Sequence, residues 1–69
     1  MLKIYDTEYY KLHYSNADMP FIEVQRGPLD LEEARNMFKK YVKDPSYTHV
    51  YVTKDNIVEG TYIQLRGDF

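Results

Sequence analysis

The sequence predicts an α+β fold: a β-β-α-β-β two-layer sandwich, with one helix over about residues 30–44 packed on a four-stranded, mainly antiparallel sheet. Three observations carry this. One segment, DLEEARNMFKKYVK, has helical spacing and a capping signature; the stretches on both sides alternate like strands; clusters of turn-forming residues separate them. One helix covers one face of such a sheet, so the other face is left open to water or to a partner.

The first extended stretch, residues 2–14, has a shifting period. Leu2 and Ile4 alternate with Lys3 and Tyr5, Asp6-Thr7-Glu8 interrupts, and Tyr10, Leu12 and Tyr14 resume against Tyr9, Lys11 and His13. One strand with a bulge at Asp6–Glu8 is preferred over two short strands, because so short a chain has little room for five. Ser15-Asn16-Ala17-Asp18 is turn chemistry. Phe21–Arg26 alternates again, with Ile22 and Val24 opposite Phe21, Glu23 and Gln25, and Pro20 suits the start or edge of a strand. Gly27-Pro28 turns the chain into the helix.

Within the helix, Asp30 and Glu33 have the D-x-x-E spacing of a capping box. Acidic residues crowd its start and Lys39, Lys40 and Lys43 its end, which suits the helix dipole. Leu31, Ala34, Met37, Phe38, Tyr41 and Val42 fall on one face at about 100° per residue. Asp44-Pro45 ends the helix, since a residue before proline avoids helical backbone. Tyr47–Thr53 is the clearest strand. Strict alternation puts Thr48, Val50 and Val52 towards the helix and Tyr47, His49, Tyr51 and Thr53 away from it. Lys54-Asp55-Asn56 marks a turn, and Ile57–Arg66 pairs back as a hairpin. There Thr61, Ile63 and Leu65 face Val50 and Val52, Tyr62 and Gln64 lie outside, and Gly60 marks a bulge or close approach.

Composition bounds the function. A single domain of 69 residues lies near the lower limit for independent folding, and with no cysteine neither a disulfide nor a thiolate metal site can reinforce it. No stretch has the apolar length of a membrane helix, and the first residues lack the pattern of a signal peptide; a cytoplasmic setting is expected. The net charge of −2 argues against direct nucleic-acid binding, which calls for a basic patch. The unusual feature is tyrosine, at eight residues, alongside three Phe and no Trp. Tyrosine suits strands, and it suits interfaces, where an apolar body meets a polar partner.

The candidate binding residues are therefore those expected on the open face: Tyr47, His49, Tyr51, Tyr62, Phe21 and Tyr9. Such a patch marks an interaction surface if it exceeds what a monomer exposes. The plainer reading, in which tyrosines shield a half-exposed sheet, stays open beside it. An alternative function places a nucleotide or phosphoester among His49, His13 and the sheet tyrosines, with histidine acid–base chemistry. A metal held by both histidines and Glu23 is weaker, because no ligand-spacing motif supports it. No nucleophile elbow, metalloprotease helix, phosphate loop or dinucleotide fingerprint occurs, so no catalytic residue, cofactor or metal is assigned. Arg66-Gly67-Asp68 spells an integrin-binding tripeptide but lacks the disulfide-held loop that usually displays it, and the C-terminal end reads as a tail.

The layout, a short strand pair, then GPLDLEEARNMFKKY, then YTHVYV and a closing hairpin, resembles small single-domain proteins of phages and other mobile elements. Inhibitors of host defence, including anti-CRISPR proteins, are among them. The resemblance rests on architecture and composition and transfers no functional residue. It implies a small non-catalytic protein-binding module, monomeric or homodimeric. Its partner would be a protein such as a CRISPR-Cas effector, met in the host cell cytoplasm.

Overall fold

The computed structural model describes residues 8–65. They form β1 (Glu8–Asn16), β2 (Met19–Leu29), α1 (Leu31–Lys43), β3 (Tyr47–Asn56) and β4 (Thr61–Leu65). The strands make one antiparallel sheet in the order β2-β1-β3-β4, with α1 packed against it, as the sequence predicts. Glu8–Asn16 is a single strand; the Asp6–Glu8 irregularity, apart from Glu8 itself, and the Arg66-Gly67-Asp68 tripeptide lie outside the described residues.

Helix α1 begins as its sequence dictates. The Glu33 backbone N–H donates to Asp30 Oδ1 at 2.8 Å, and the Asp30 N–H donates to Glu33 Oε1 at 3.1 Å. At the other end the Asp44 N–H donates to the Tyr41 carbonyl at 3.2 Å, and Asp44 Oδ1 accepts from the Ser46 N–H at 2.9 Å. The helix lies over the central strands β1 and β3 and touches β2 less. Its apolar stripe is narrower than its spacing implies: Ala34 and Tyr41 are buried, Met37 and Phe38 are half-buried, and Leu31 and Val42 are exposed at its margins. Beneath it Leu12 and Val52, opposite one another on β1 and β3, are fully buried. Each such side chain contributes about 1.5–3 kcal/mol through burial.

Strict alternation fails in β3, with one consequence for the candidate site. His13 pairs with Tyr51 and Ser15 with Thr48, so two residues of β3, His49 and Val50, stand opposite the single residue Tyr14. This is a bulge, and His49 takes the extra position with φ +54°, in the left-handed region. An inserted residue exchanges the faces of everything before it. Tyr47, expected on the open face, therefore turns to the helix side, where its ring stacks on Tyr41 at 4.4 Å between centroids and meets Tyr14 edge-on at 5.1 Å. Tyr14 and Tyr41 close the triangle at 4.8 Å. These three tyrosines, with Tyr10 packed beside them, thus belong to the apolar layer. His13 pairs with Tyr51 while His49 sits in the bulge, so the two histidines do not oppose one another.

The second hairpin turns later than the sequence suggests. Strand β3 continues through Asn56, whose Oδ1 accepts the N–H groups of Val58 and Glu59 at 3.1 and 2.9 Å. Gly60 has φ +69°, and a Cβ added there would meet nothing within 4 Å. Glycine therefore serves the turn's backbone conformation rather than a close approach.

His49→Gly is expected to preserve or raise stability, because glycine adopts positive φ without cost, whereas His49→Val is expected to lose about 1–2 kcal/mol. Urea unfolding of the two variants beside the parent measures both signs.

Candidate functional site: the sheet face opposite the helix

Since Leu12 and Tyr14 face α1, the alternate residues of β1 face the other way, and register brings their neighbours to them. His13 lies between Gln25 of β2 and Tyr51 of β3, Ser15 opposite Glu23, Lys11 opposite Thr53, and Tyr9 opposite Asp55. Outside β3, Gln64 and Tyr62 of β4 stand opposite Thr53 and Asp55. The centre of this face is closed, not open: His13, Ser15 and Thr53 are all buried.

His13 is the hub. Its Nε2 lies 2.8 Å from Thr53 Oγ1 and its Nδ1 3.3 Å from Glu23 Oε2. The Thr53 hydroxyl donates to Asp55 Oδ1 at 2.7 Å, so its oxygen can accept from an Nε2–H of the imidazole. The Tyr51 ring stacks on the imidazole, with centroids 4.4 Å apart and planes 4° from parallel, and its hydroxyl donates to Glu23 Oε1 at 2.6 Å. Gln25 Nε2 donates to Glu23 Oε2 at 3.0 Å, and Gln25 Oε1 accepts from Lys11 Nζ at 3.4 Å. Lys11 closes the circuit at 3.7 Å from Asp55. Among the described residues no buried side-chain nitrogen or oxygen lacks a partner, so the network is satisfied.

The electrostatics follow from these bonds. The Tyr51 hydroxyl first, then the Gln25 amide and His13, hold the Glu23 carboxyl below its ordinary value, against a smaller opposing effect of burial. Burial, followed by the hydrogen bond and charge of Glu23, pushes the Tyr51 phenol up to about 12. A lowered carboxyl stabilises the fold above its unfolded value and loses that contribution as pH falls through the folded one. A raised phenol stabilises below its unfolded value and loses that contribution as pH rises through the folded one.

This arrangement engages its side chains with one another. Both nitrogens of His13 are committed, and the Thr53 hydroxyl it points to is 1% exposed, out of reach of a substrate. His49, exposed on its bulge, is not joined to the network. Among the described residues no group of three or more His, Cys, Asp and Glu side chains could hold a metal, and no helix is long and apolar enough to cross a membrane.

Of the residues the sequence singles out, Tyr51 sits at the centre of this face, Tyr62 is exposed on β4, and Phe21 on β2 is 95% exposed. Tyr9 is half-buried at one end, its ring 5.8 Å from Lys11 Nζ. There Tyr9, Lys11, Gly27, Pro28 and Ile57 line a cleft of about 240 Å³. A side chain at Gly27 would meet Lys11 Cγ at 3.0 Å and the Tyr10 carbonyl oxygen at 3.1 Å, so glycine is what lets the two strands come together there. The sequence places Glu23 with the histidines only as a weak metal set and does not bring Gln25, Thr53 and Asp55 to them. Their signal is the shared alternation of their strands with His13, readable only once register is known. No protein-family model, curated protein or solved structure matches the chain.

Glu23→Gln is expected to weaken the acid-side loss of stability and to bring the Tyr51 phenol down from about 12 towards 10, incompletely because burial is its larger cause. Alkaline titration of the tyrosinate band, each protein referenced to its own Tyr51→Phe partner, reads this shift directly.

Proposed function

We propose that this chain is a protein-binding module that takes its partner on the sheet face opposite α1, with Tyr51 and Tyr62 as the aromatic contacts and Phe21 at the β2 border. The observation that supports this best is a contrast on one surface. A polar centre in which every buried group is bonded holds Tyr51 in a fixed orientation, while Phe21 and Tyr62 beside it remain 95% and 68% exposed. Rigid aromatics contribute contact area at low entropic cost and anchor interfaces more often than other side chains.

A bound centre also suits a recognition surface because its charges are held in place. Glu23 and Asp55 accept from neighbours within the sheet, so docking does not have to reorganise them. The narrower reading, a phage-encoded inhibitor of a host defence protein such as a CRISPR-Cas effector, draws on the resemblance in layout and composition together with the small, cysteine-free chain. A cytoplasmic setting belongs to that same reading.

Site-specific photo-crosslinking tests the surface. A photo-reactive phenylalanine at Tyr62 is expected to capture one discrete protein in cells, and one at Lys39, on the exposed side of α1, is expected to capture none. Tyr51→Ala is expected to reduce the Tyr62 adduct by tenfold or more, about 1.4 kcal/mol or greater, with unchanged circular dichroism. Capture from Lys39 and not from Tyr62 would move the site to the helix.

A further inference from the structure

We infer that the outer edge of β2 is a homodimer interface, in which two copies pair antiparallel about Val24 and each inserts Phe21 into the other's cleft beside Gly27. Among the described residues nothing pairs with this edge, since β2 is the outermost strand in the order β2-β1-β3-β4. Natural sheets usually protect such an edge with lysine, proline or a covering element. Between Pro20 and Pro28 there is no lysine, α1 covers β2 less than it covers β1 or β3, and the Glu23 carboxylate is drawn back onto its own sheet by Tyr51, Gln25 and His13. Ile22 is left 53% exposed.

The occupant follows from the strand's own pattern. Antiparallel pairing sets residues of the same face opposite one another, which limits the registers of β2 with its copy. A register centred on Glu23 would oppose two carboxylates. Centred on Val24, Val24 meets Val24, Glu23 meets Gln25, Ile22 meets Arg26 and Phe21 meets Gly27. Pro20 falls opposite Pro28, so the residues that cannot donate to a ladder end it symmetrically at both limits. The Phe21–Gly27 pair is the distinctive one. It sets the most exposed large apolar side chain in the described residues against the glycine that lines the cleft of about 240 Å³, with the apolar surfaces of Tyr9, Pro28 and Ile57 around it. An aromatic ring opposite a strand glycine is a recognised way of covering it.

Two-fold symmetry makes this insertion twice and yields one eight-stranded sheet with both helices on the same side. The β3–β4 half of the opposite face, with Tyr51 and Tyr62, stays free. Phe21 is the one residue the dimer edge shares with the proposed partner surface, and the two are told apart at Tyr62: a dimer that captures nothing there, and a monomer that does, are different results.

Sedimentation equilibrium of the intact protein is expected to show a monomer–dimer equilibrium. Phe21→Ala, which removes a side chain the monomer does not use, is expected to raise its Kd at least tenfold. The chain has no cysteine, so single-cysteine variants report register cleanly. Val24→Cys is expected to form a disulfide-linked dimer on mild oxidation, since facing Cα atoms lie about 4.5–5.5 Å apart. Ile22→Cys is expected not to, its symmetry mate lying about 13 Å away along the strands. A wild-type protein that stays monomeric at its highest soluble concentration, a dimer indifferent to Phe21→Ala, or crosslinking through residue 22 instead of 24 would each overturn the proposal.

Discussion

The contact on which the sheet's two sides depend is the imidazole of His13, held between Glu23 and Thr53. Strand β1 is central in the sheet and buried on both faces: Leu12 and Tyr14 under α1, His13 and Ser15 on the other side. A small domain whose core cluster holds five buried apolar residues among those described has little apolar area to spare. Its second layer is therefore built from hydrogen bonds that span three strands, with Tyr51 as a lid over the ring. Such a network stabilises only when every member is satisfied, because an unpaired buried polar group costs about 1–3 kcal/mol. Here the circuit runs from Glu23 through His13 and Thr53 to Asp55 and back through Lys11 and Gln25.

That closure shapes what the face can do. A histidine with both nitrogens engaged, pointing at a threonine with no access to solvent, serves as a fastener. The side chains it fastens are the ones a partner would meet. Tyr51 is fixed by stacking and by its bond to Glu23, and the exposed rings of Phe21 and Tyr62 lie on the two edge strands on either side. The edges themselves differ. β4 is five residues long, whereas β2 runs for eleven and presents a row whose pattern complements itself.

Much of the fold could be read in the chain because its signals are local. The Asp30–Glu33 capping box, the end of the helix before Pro45 and the placing of four extended segments around the helix depend on near neighbours, and all appear in the structure. The candidate site was legible only in part, because it depends on register. One inserted residue at His49 moved Tyr47 to the helix side, and no local feature distinguishes that histidine from an ordinary strand residue. Leu31 and Val42 fit the helical period, yet a single helix over two central strands leaves its margins in water. Glu23, Thr53 and Asp55 come together with His13 from three strands, and their grouping follows from pairings that sequence spacing does not specify.

The face opposite the helix is a fastened surface and not a set of independently solvated side chains. A double-mutant cycle on His13→Ala and Glu23→Gln, read by urea unfolding, tests it most directly. Residues of one network are expected to couple by about 1 kcal/mol or more. Additive effects within about 0.3 kcal/mol would mean that the two groups act separately, and the account of a preorganised face would be wrong.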